Sequence, residues 1–143
     1  TEFSNNIRSD FSYLNRAAED QKTDDEVLFS QNGRSVFKDV CPLVSSIIKE
    51  QLEVNDLLPG DISKLWLHQA NGKMIRLIAS KVLGNDDFGL DQVPMPIQQY
   101  GNLASAGSLV AFNLNNDLEP GQKGILCSFG AGYSICSLLV EKN

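Results

Sequence analysis

The sequence predicts an α/β fold in which helices and strands are stacked in layers. Helical and strand patterns alternate from residue 33 to residue 141, and short apolar segments bounded by turn residues separate the helices. The last two predicted strands are joined directly by a glycine-rich turn. A chain of 143 residues suits one domain with a core of ordinary size.

Residues 1–32 are polar and irregular and include a charged stretch at 18–26, so we expect a surface loop with room for one short helix. A helical pattern begins at Gly33. Its apolar positions are Val36, Phe37, Val40, Leu43, Val44, Ile47, Ile48 and Leu52. Pro42 lies inside this pattern, and because proline lacks an amide proton we expect it to kink the helix or to begin its regular part.

Pro59-Gly60 predicts a turn, and the apolar segment KLWLH at 64–68 predicts a buried strand. Asn71 can cap the next helix, and Gly84 is a good terminator for it. The apolar positions of this helix are Met74, Ile75, Ile78, Ala79, Val82 and Leu83.

The segment 85–96 is predicted to be a loop, in which Pro94 and Pro96 allow only a short or edge strand. Residues 103–118 are rich in small and apolar side chains and predict a buried helix packed closely on a sheet. Two strands, 124–129 and 134–141, are then expected at the end of the chain.

Composition and charge exclude several classes of function. A net charge of −6 argues against a general nucleic-acid binder. No apolar run is long enough to span a membrane, and no signal-peptide pattern opens the chain. Since the first residue is threonine, we expect a processed product or a piece of a longer protein.

The cysteines are Cys41, Cys127 and Cys136. Their odd number and their spacing, which is not that of a zinc site, favour reduced thiols in a cytoplasmic protein. A metal site built from these cysteines and His68 is the less favoured alternative.

Four short blocks follow one another in the order NGRSVF, HQAN, YGNLASAGS and SFGAGYS, and they begin at residues 32, 68, 100 and 128. Together they resemble the C-terminal half of β-ketoacyl-acyl-carrier-protein synthase III, one of the thiolase-fold condensing enzymes. The resemblance covers roughly residues 28–140. It implies the C-terminal part of a thiolase-like α-β-α-β-α fold, with 1–32 as a connecting segment before a condensing-enzyme domain at 33–143.

His68 and Asn102 are the catalytic candidates. His68 ends a predicted strand at the carboxyl edge of an α/β sheet, where ligands bind. The resemblance implies a decarboxylating Claisen condensation, in which the two side chains donate hydrogen bonds to the enolate oxygen of a malonyl thioester. Without the resemblance, His68 would be a structural residue closing a strand, and Asn102 an ordinary turn or cap residue.

The glycine-rich loop at Gly130, Ala131 and Gly132 could be a simple tight turn. By resemblance, a backbone amide of this loop, that of Ala131, serves a second oxyanion hole over the acyl-cysteine carbonyl. Phe129 is expected beside the histidine. Two departures from the family pattern are Leu103, where a threonine is usual, and the alanine at the centre of the loop.

Two groups of residues are implied to bind substrate or carrier. Positions that match the pantetheine tunnel of the family are Gly33, Phe37, Ala70 and Asn71, although Phe37 is equally expected as helix core and Gly33 as a loop glycine. The basic residues after HQAN are Lys73, Arg76 and Lys81, which are expected to dock an acidic acyl-carrier protein. Lys73 and Lys81 share one helix face, and Arg76 neighbours Lys73 at a spacing of three. A solvated helix face is the alternative for them.

The family's nucleophilic cysteine lies in its N-terminal half, and none of the three cysteines here has that context. We therefore expect this chain to be inactive alone, and to need the missing N-terminal half within a homodimeric cytoplasmic enzyme. Its substrates would be phosphopantetheine thioesters of acyl-carrier protein or coenzyme A, with no cofactor, metal, nucleic acid or membrane. The alternatives are a non-catalytic acyl-carrier or acyl-CoA binding paralogue, and a related synthase that uses a longer or aromatic primer.

Overall fold

The structure, a computed structural model, describes residues 7–9 and 29–143. Its first two strands, β1 (Ile7–Ser9) and β2 (Phe29–Gln31), form an antiparallel pair. The sequence predicted a loop with room for one short helix here and no strand, because three-residue strands carry too little pattern to be recognised. The charged stretch at 18–26 lies outside the described residues.

The first helix among the described residues, α1 (Gly33–Val54), begins where the apolar period begins. The side chain of Asn32 caps it by accepting a hydrogen bond from the Ser35 amide at 3.2 Å. The helix continues through Pro42 as one element. Its buried face follows the predicted pattern except at Leu43, which is 40% exposed, so the prediction that Leu43 is core is wrong.

A three-stranded sheet lies at the centre of the molecule. Strand β3 (Ile62–Leu67) pairs in parallel with β4 (Lys123–Gly130), which pairs antiparallel with β5 (Ser134–Glu141). All three strands match predicted segments to within two residues at each end. Because β3 and β4 are parallel, their carboxyl ends meet at the same edge of the sheet.

Helix α2 (Gly72–Leu83) follows β3 and buries all six of its predicted apolar positions. Asn71 accepts a hydrogen bond from the Lys73 amide at 2.8 Å, and Gly84 ends the helix at φ +76°. Both predicted end signals are therefore confirmed.

The segment after α2 contains no strand, yet it follows the free edge of β3. The Leu65 amide donates to the Gln92 carbonyl at 2.8 Å, and the Gln92 side chain donates to the Ile62 carbonyl at 3.0 Å. The segment with Pro94 and Pro96 therefore lies at the edge of the sheet, as expected, but it does not form a regular ladder of strand hydrogen bonds.

The next helices are short. Helix α3 (Ile97–Tyr100) is followed by a 3₁₀ turn (Ala104–Ala106) and by α4 (Gly107–Leu114). The predicted helix over 103–118 is therefore too long at both ends. It is also only partly buried: Ala111 lies against the sheet, whereas Leu109 is 58% exposed.

Alternation along β3 separates two helix layers. Leu65 and Leu67 pack into the larger core, with α1 and α2, whereas Trp66 points to the other face and packs with Ala111 of α4. The predicted α/β layering is confirmed. Within the described part of the chain, no helix is both long and apolar enough to cross a bilayer.

Candidate active site

His68 stands directly after the last residue of β3 and is 8% exposed. Its ring lies edge-on against Phe129 of β4, with the ring centroids 4.7 Å apart. Burial lowers the pKa of His68 below its ordinary value of 6.5, so the imidazole is neutral at pH 7. Its Nδ1 atom is buried without a hydrogen-bond partner among the described residues.

The glycine-rich loop starts at the end of β4, at the same sheet edge as His68. Leu67 of β3 is in register with Cys127 of β4, so the chain beyond each residue leads to one place. Gly132 has φ +69°, a backbone conformation that favours glycine. The Tyr133 hydroxyl donates to the Asp39 carboxylate at 3.1 Å, which ties the loop to α1.

Asn102 lies in the exposed loop between α3 and the 3₁₀ turn. Its side-chain oxygen accepts a hydrogen bond from the Ala104 amide at 2.9 Å, which leaves the NH₂ group to donate elsewhere. Ser105, three residues on, lines a groove of about 270 Å³ together with Phe129 and Gly130. The Asn102 segment therefore approaches the same edge, although no hydrogen bond joins Asn102 to His68 in the described structure.

Comparison with known protein families identifies the family of the chain. The profile of the family "3-Oxoacyl-[acyl-carrier-protein (ACP)] synthase III C terminal" matches residues 52–142. The chain belongs to this family. The matched range contains both catalytic candidates and the glycine-rich loop, and the predicted resemblance is confirmed.

Two curated relatives show how much of a synthase the chain represents. It is 46% identical over its whole length to beta-ketodecanoyl-[acyl-carrier-protein] synthase of Pseudomonas aeruginosa PAO1, and spans 41% of that protein. It is 32% identical over 78% of its length to beta-ketoacyl-[acyl-carrier-protein] synthase III of Pseudoalteromonas atlantica, and spans 35% of that protein. The chain thus covers between about a third and two fifths of the length of these relatives.

Solved structures agree with the fold. The priming beta-ketosynthase of the R1128 polyketide pathway matches 99% of the chain with a TM-score of 0.82 at 22% identity. The 3-oxoacyl-(acyl carrier protein) synthase III of Pseudomonas aeruginosa PAO1 matches 99% of it with a TM-score of 0.74 at 19% identity. In both cases the chain covers little more than two fifths of the solved protein, 42% and 41% respectively.

The four residues predicted to line a pantetheine tunnel do not share one environment in this synthase III domain. Phe37 and Ala70 are half-buried and pack against the main core. Gly33 and Asn71 are exposed at the first turn of α1 and at the N-cap of α2. A Cβ atom added at Gly33 would meet nothing within 4 Å, so the described chain does not itself require a glycine there.

The basic residues predicted to dock a carrier lie on the outer face of α2. Lys73, Arg76 and Lys81 are all exposed, opposite the face that α2 packs into the core. The helix begins four residues after His68, so Lys73 is the basic residue nearest to the candidate site along the helix.

The cysteines differ sharply in environment. Burial raises the pKa of Cys41 to about 11 and that of Cys127 to about 12, so both are protonated, unreactive thiols at neutral pH. Cys136 is exposed on β5. The described residues contain no group of three or more histidine, cysteine or acidic side chains that could hold a metal ion, so the alternative metal site has no support there.

Sequence reasoning gave no role to two polar residues at this edge. Tyr133 anchors the glycine-rich loop, and Gln69, only 1% exposed, hydrogen-bonds to the strand and to the loop before α3. Its position next to the predicted catalytic histidine was a signal that Gln69 could have a role at the site. The sequence could not show which groups Gln69 contacts, because its partners before α3 are distant along the chain.

An apolar surface remains open beside Asn102. Leu109 and Leu114 of α4 are 58% and 52% exposed, and Tyr100 and Leu103 add to the same groove of about 430 Å³. This groove lies on a helix and its preceding loop.

Proposed function

We propose that this chain is the C-terminal part of an acyltransferase that condenses an acyl thioester with malonyl-acyl-carrier protein, as 3-oxoacyl-acyl-carrier-protein synthase III does. The observation that carries the proposal is the buried, neutral His68 at the sheet edge, beside Phe129 and the glycine-rich loop. Family membership supplies the reaction class.

In the proposed reaction, malonyl thioester loses carbon dioxide, and the electron pair of the broken carbon–carbon bond becomes the enolate. Its negative oxygen accepts hydrogen bonds from the His68 imidazole and the Asn102 amide. A neutral imidazole can donate one hydrogen bond without carrying a charge that burial would oppose. The enolate carbon then attacks the acyl-cysteine carbonyl, whose oxyanion is held by the Ala131 amide, and the cysteine thiolate leaves.

The acyl-carrying cysteine would come from the missing N-terminal half. The buried thiols of Cys41 and Cys127 are unsuited to the role, and the chain spans only between about a third and two fifths of these relatives. We propose that residues 33–143 form the C-terminal domain of each subunit in a cytoplasmic homodimer. Residues 1–32 would connect this domain to the N-terminal half, and the open groove on α4 would face that half. Alone, the chain would be inactive. No cofactor is needed beyond the thioester substrates.

The relative's name suggests a primer. A beta-ketodecanoyl product has ten carbons, of which two come from malonyl, so the synthase of that name takes an eight-carbon acyl group. The identity of 46% over the whole chain favours a medium-chain acyl primer here as well. Octanoyl thioesters should be used better than acetyl thioesters by the full-length protein.

The test separates the two stages in the full-length protein. His68→Ala and Asn102→Ala should each slow carbon dioxide release from malonyl thioester on the order of 10²–10³-fold. Transfer of a radiolabelled acyl group to the cysteine should persist, because that step uses the other oxyanion hole. Equal loss of both stages would contradict the assignment. A full-length protein with no acylated cysteine would favour the non-catalytic acyl-carrier binding alternative.

A further inference from the structure

Gln69, the residue after His68, joins the end of β3 to the segment 94–97 at the candidate site. It is 1% exposed, and all of its side-chain hydrogen-bonding partners are backbone groups. The amide nitrogen donates to the Leu67 carbonyl at 2.8 Å and to the Pro94 carbonyl at 3.3 Å. The amide oxygen accepts from the Ile97 amide at 3.1 Å.

A fourth contact lies at the start of α4. A Cβ atom added at Gly107 would fall 2.8 Å from Cβ and 3.2 Å from the backbone nitrogen of Gln69. The φ of Gly107 is an ordinary helical −58°, so the glycine is required by this close approach and not by backbone conformation.

In the sequence, these contacts lie on either side of Asn102. Ile97 is five residues before it and Gly107 five residues after it. The segment that carries Asn102 is therefore hydrogen-bonded to the Gln69 side chain at one end and packed closely against Gln69 at the other. The hydrogen bonds in the exposed middle of the segment are all local, such as the one that the Ala104 amide donates to Asn102.

We propose that Gln69 is a positioning residue that sets the separation of His68 and Asn102. The inference rests on the proposed function, since it assigns Gln69 a part in forming the enolate oxyanion hole. Such a hole works only when its donors are held where the charge develops, and a misplacement of about 1 Å can cost roughly 10²-fold. Gln69 touches neither substrate nor reacting atoms in this role.

Gln69→Met tests the proposal in the full-length protein, because methionine keeps the length of the side chain and removes its hydrogen bonds. Carbon dioxide release should fall by up to about 10²-fold, while acyl transfer to the cysteine stays within about twofold. Gln92→Met is the matched control: Gln92 also donates to β3, at the Ile62 carbonyl, but at the far end of the strand. It should leave carbon dioxide release within about twofold.

A double-mutant cycle distinguishes positioning from general destabilisation. If Gln69 acts through Asn102, then Gln69→Met should cause no further loss in the Asn102→Ala background. Multiplicative losses, or equal loss of both stages, would overturn the proposal. Amide exchange at Ile97 gives a readout that needs no activity: it should accelerate at least about tenfold in Gln69→Met, and unchanged exchange would also overturn the link.

A second variant covers failure of Gln69→Met to fold. Gly107→Ala leaves Gln69 intact but places a methyl group against it, and should give the same stage-selective loss. Full activity of Gly107→Ala would contradict a role for the contact between Gly107 and Gln69 in positioning Asn102. If Asn102→Ala itself spares carbon dioxide release, the proposed function fails, while Ile97 exchange still decides whether Gln69 holds the segment.

Discussion

The two sides of the candidate site are built differently. His68 lies between a strand and a helix whose apolar faces are buried, and it is itself 8% exposed. Asn102 lies in an exposed loop beside a helix that leaves Leu109 and Leu114 open to solvent. His68 is thus enclosed by the described chain, whereas the segment of Asn102 is joined to Gln69 at its ends and lies beside the open groove on α4.

The largest expected contrast concerns packing on either side of α4. Trp66 is fully buried, packs edge-on against Phe112 and donates to the Asn115 carbonyl at 3.2 Å. Trp66→Ala should lower the free energy of unfolding by about 3–5 kcal/mol in urea denaturation. Leu109→Ala should change it by less than about 0.5 kcal/mol in residues 1–143 alone.

Leu109→Ala can also be compared between the isolated chain and the full-length protein. If the missing half covers α4, Leu109→Ala should cost about 2 kcal/mol or more in the full-length protein. An effect as small there as in the isolated chain would show that this face is not covered.

The second contrast is in pH dependence. Because burial lowers the pKa of His68 below 6.5, the unfolded state binds a proton first as the pH falls. The free energy of unfolding should therefore decrease below pH 6.5, by up to about 1.4 kcal/mol per pH unit, until the pKa of the folded state is reached. His68→Gln should remove this part of the slope and Asn102→Ala should retain it. Identical slopes in all three proteins would mean that His68 is not desolvated.

The third contrast concerns a type of hydrogen bond that occurs on both sides of the candidate site. Asn71 and Asn102 each accept from the backbone amide two residues on, at 2.8 Å and 2.9 Å. Asn71 caps the twelve-residue α2, whereas Asn102 precedes a three-residue turn. Asn71→Ala should lower thermal stability by an amount worth about 1 kcal/mol, and Asn102→Ala by only a few tenths. A larger stability cost at Asn102 would assign it a structural role.

The smallest effect is expected at the basic face of α2. Lys73→Glu should raise the Michaelis constant for malonyl-carrier protein by at most about fivefold, because a single exposed ion pair contributes about 1 kcal/mol or less. A small malonyl-thioester analogue should be unaffected, and added salt should weaken the preference for carrier. Lys49→Glu, exposed on α1, is the control. Equal effects of both variants, or no salt dependence, would place carrier docking elsewhere.

Local patterns were sufficient for the histidine side of the site. The apolar segment before His68, the Asn71 cap, the helical period of α2 and the terminator Gly84 each act within a few residues, and each is found as predicted. The strands flanking the glycine-rich loop were likewise predictable from their composition.

The asparagine side could not be predicted in the same way. The apolar residues of 103–118 indicated one long buried helix, but the helix covers only Gly107–Leu114, and three of its eight residues are exposed. Composition shows that a segment is apolar, and it does not show which surface will cover it. Lys64 is a similar case: it was counted in an apolar strand, and is buried because Asp91 and Asp117 pair with it at 3.0 Å and 2.8 Å.

The sequence by itself determined the order of the layers, the ends of the main helices and the place of His68, because helix and strand periods and capping are short-range effects. Tertiary structure alone decided how Asn102 is held. Gln69 reaches a carbonyl 25 residues away and an amide 28 residues away, and those partners become neighbours only when the chain returns to the edge of β3.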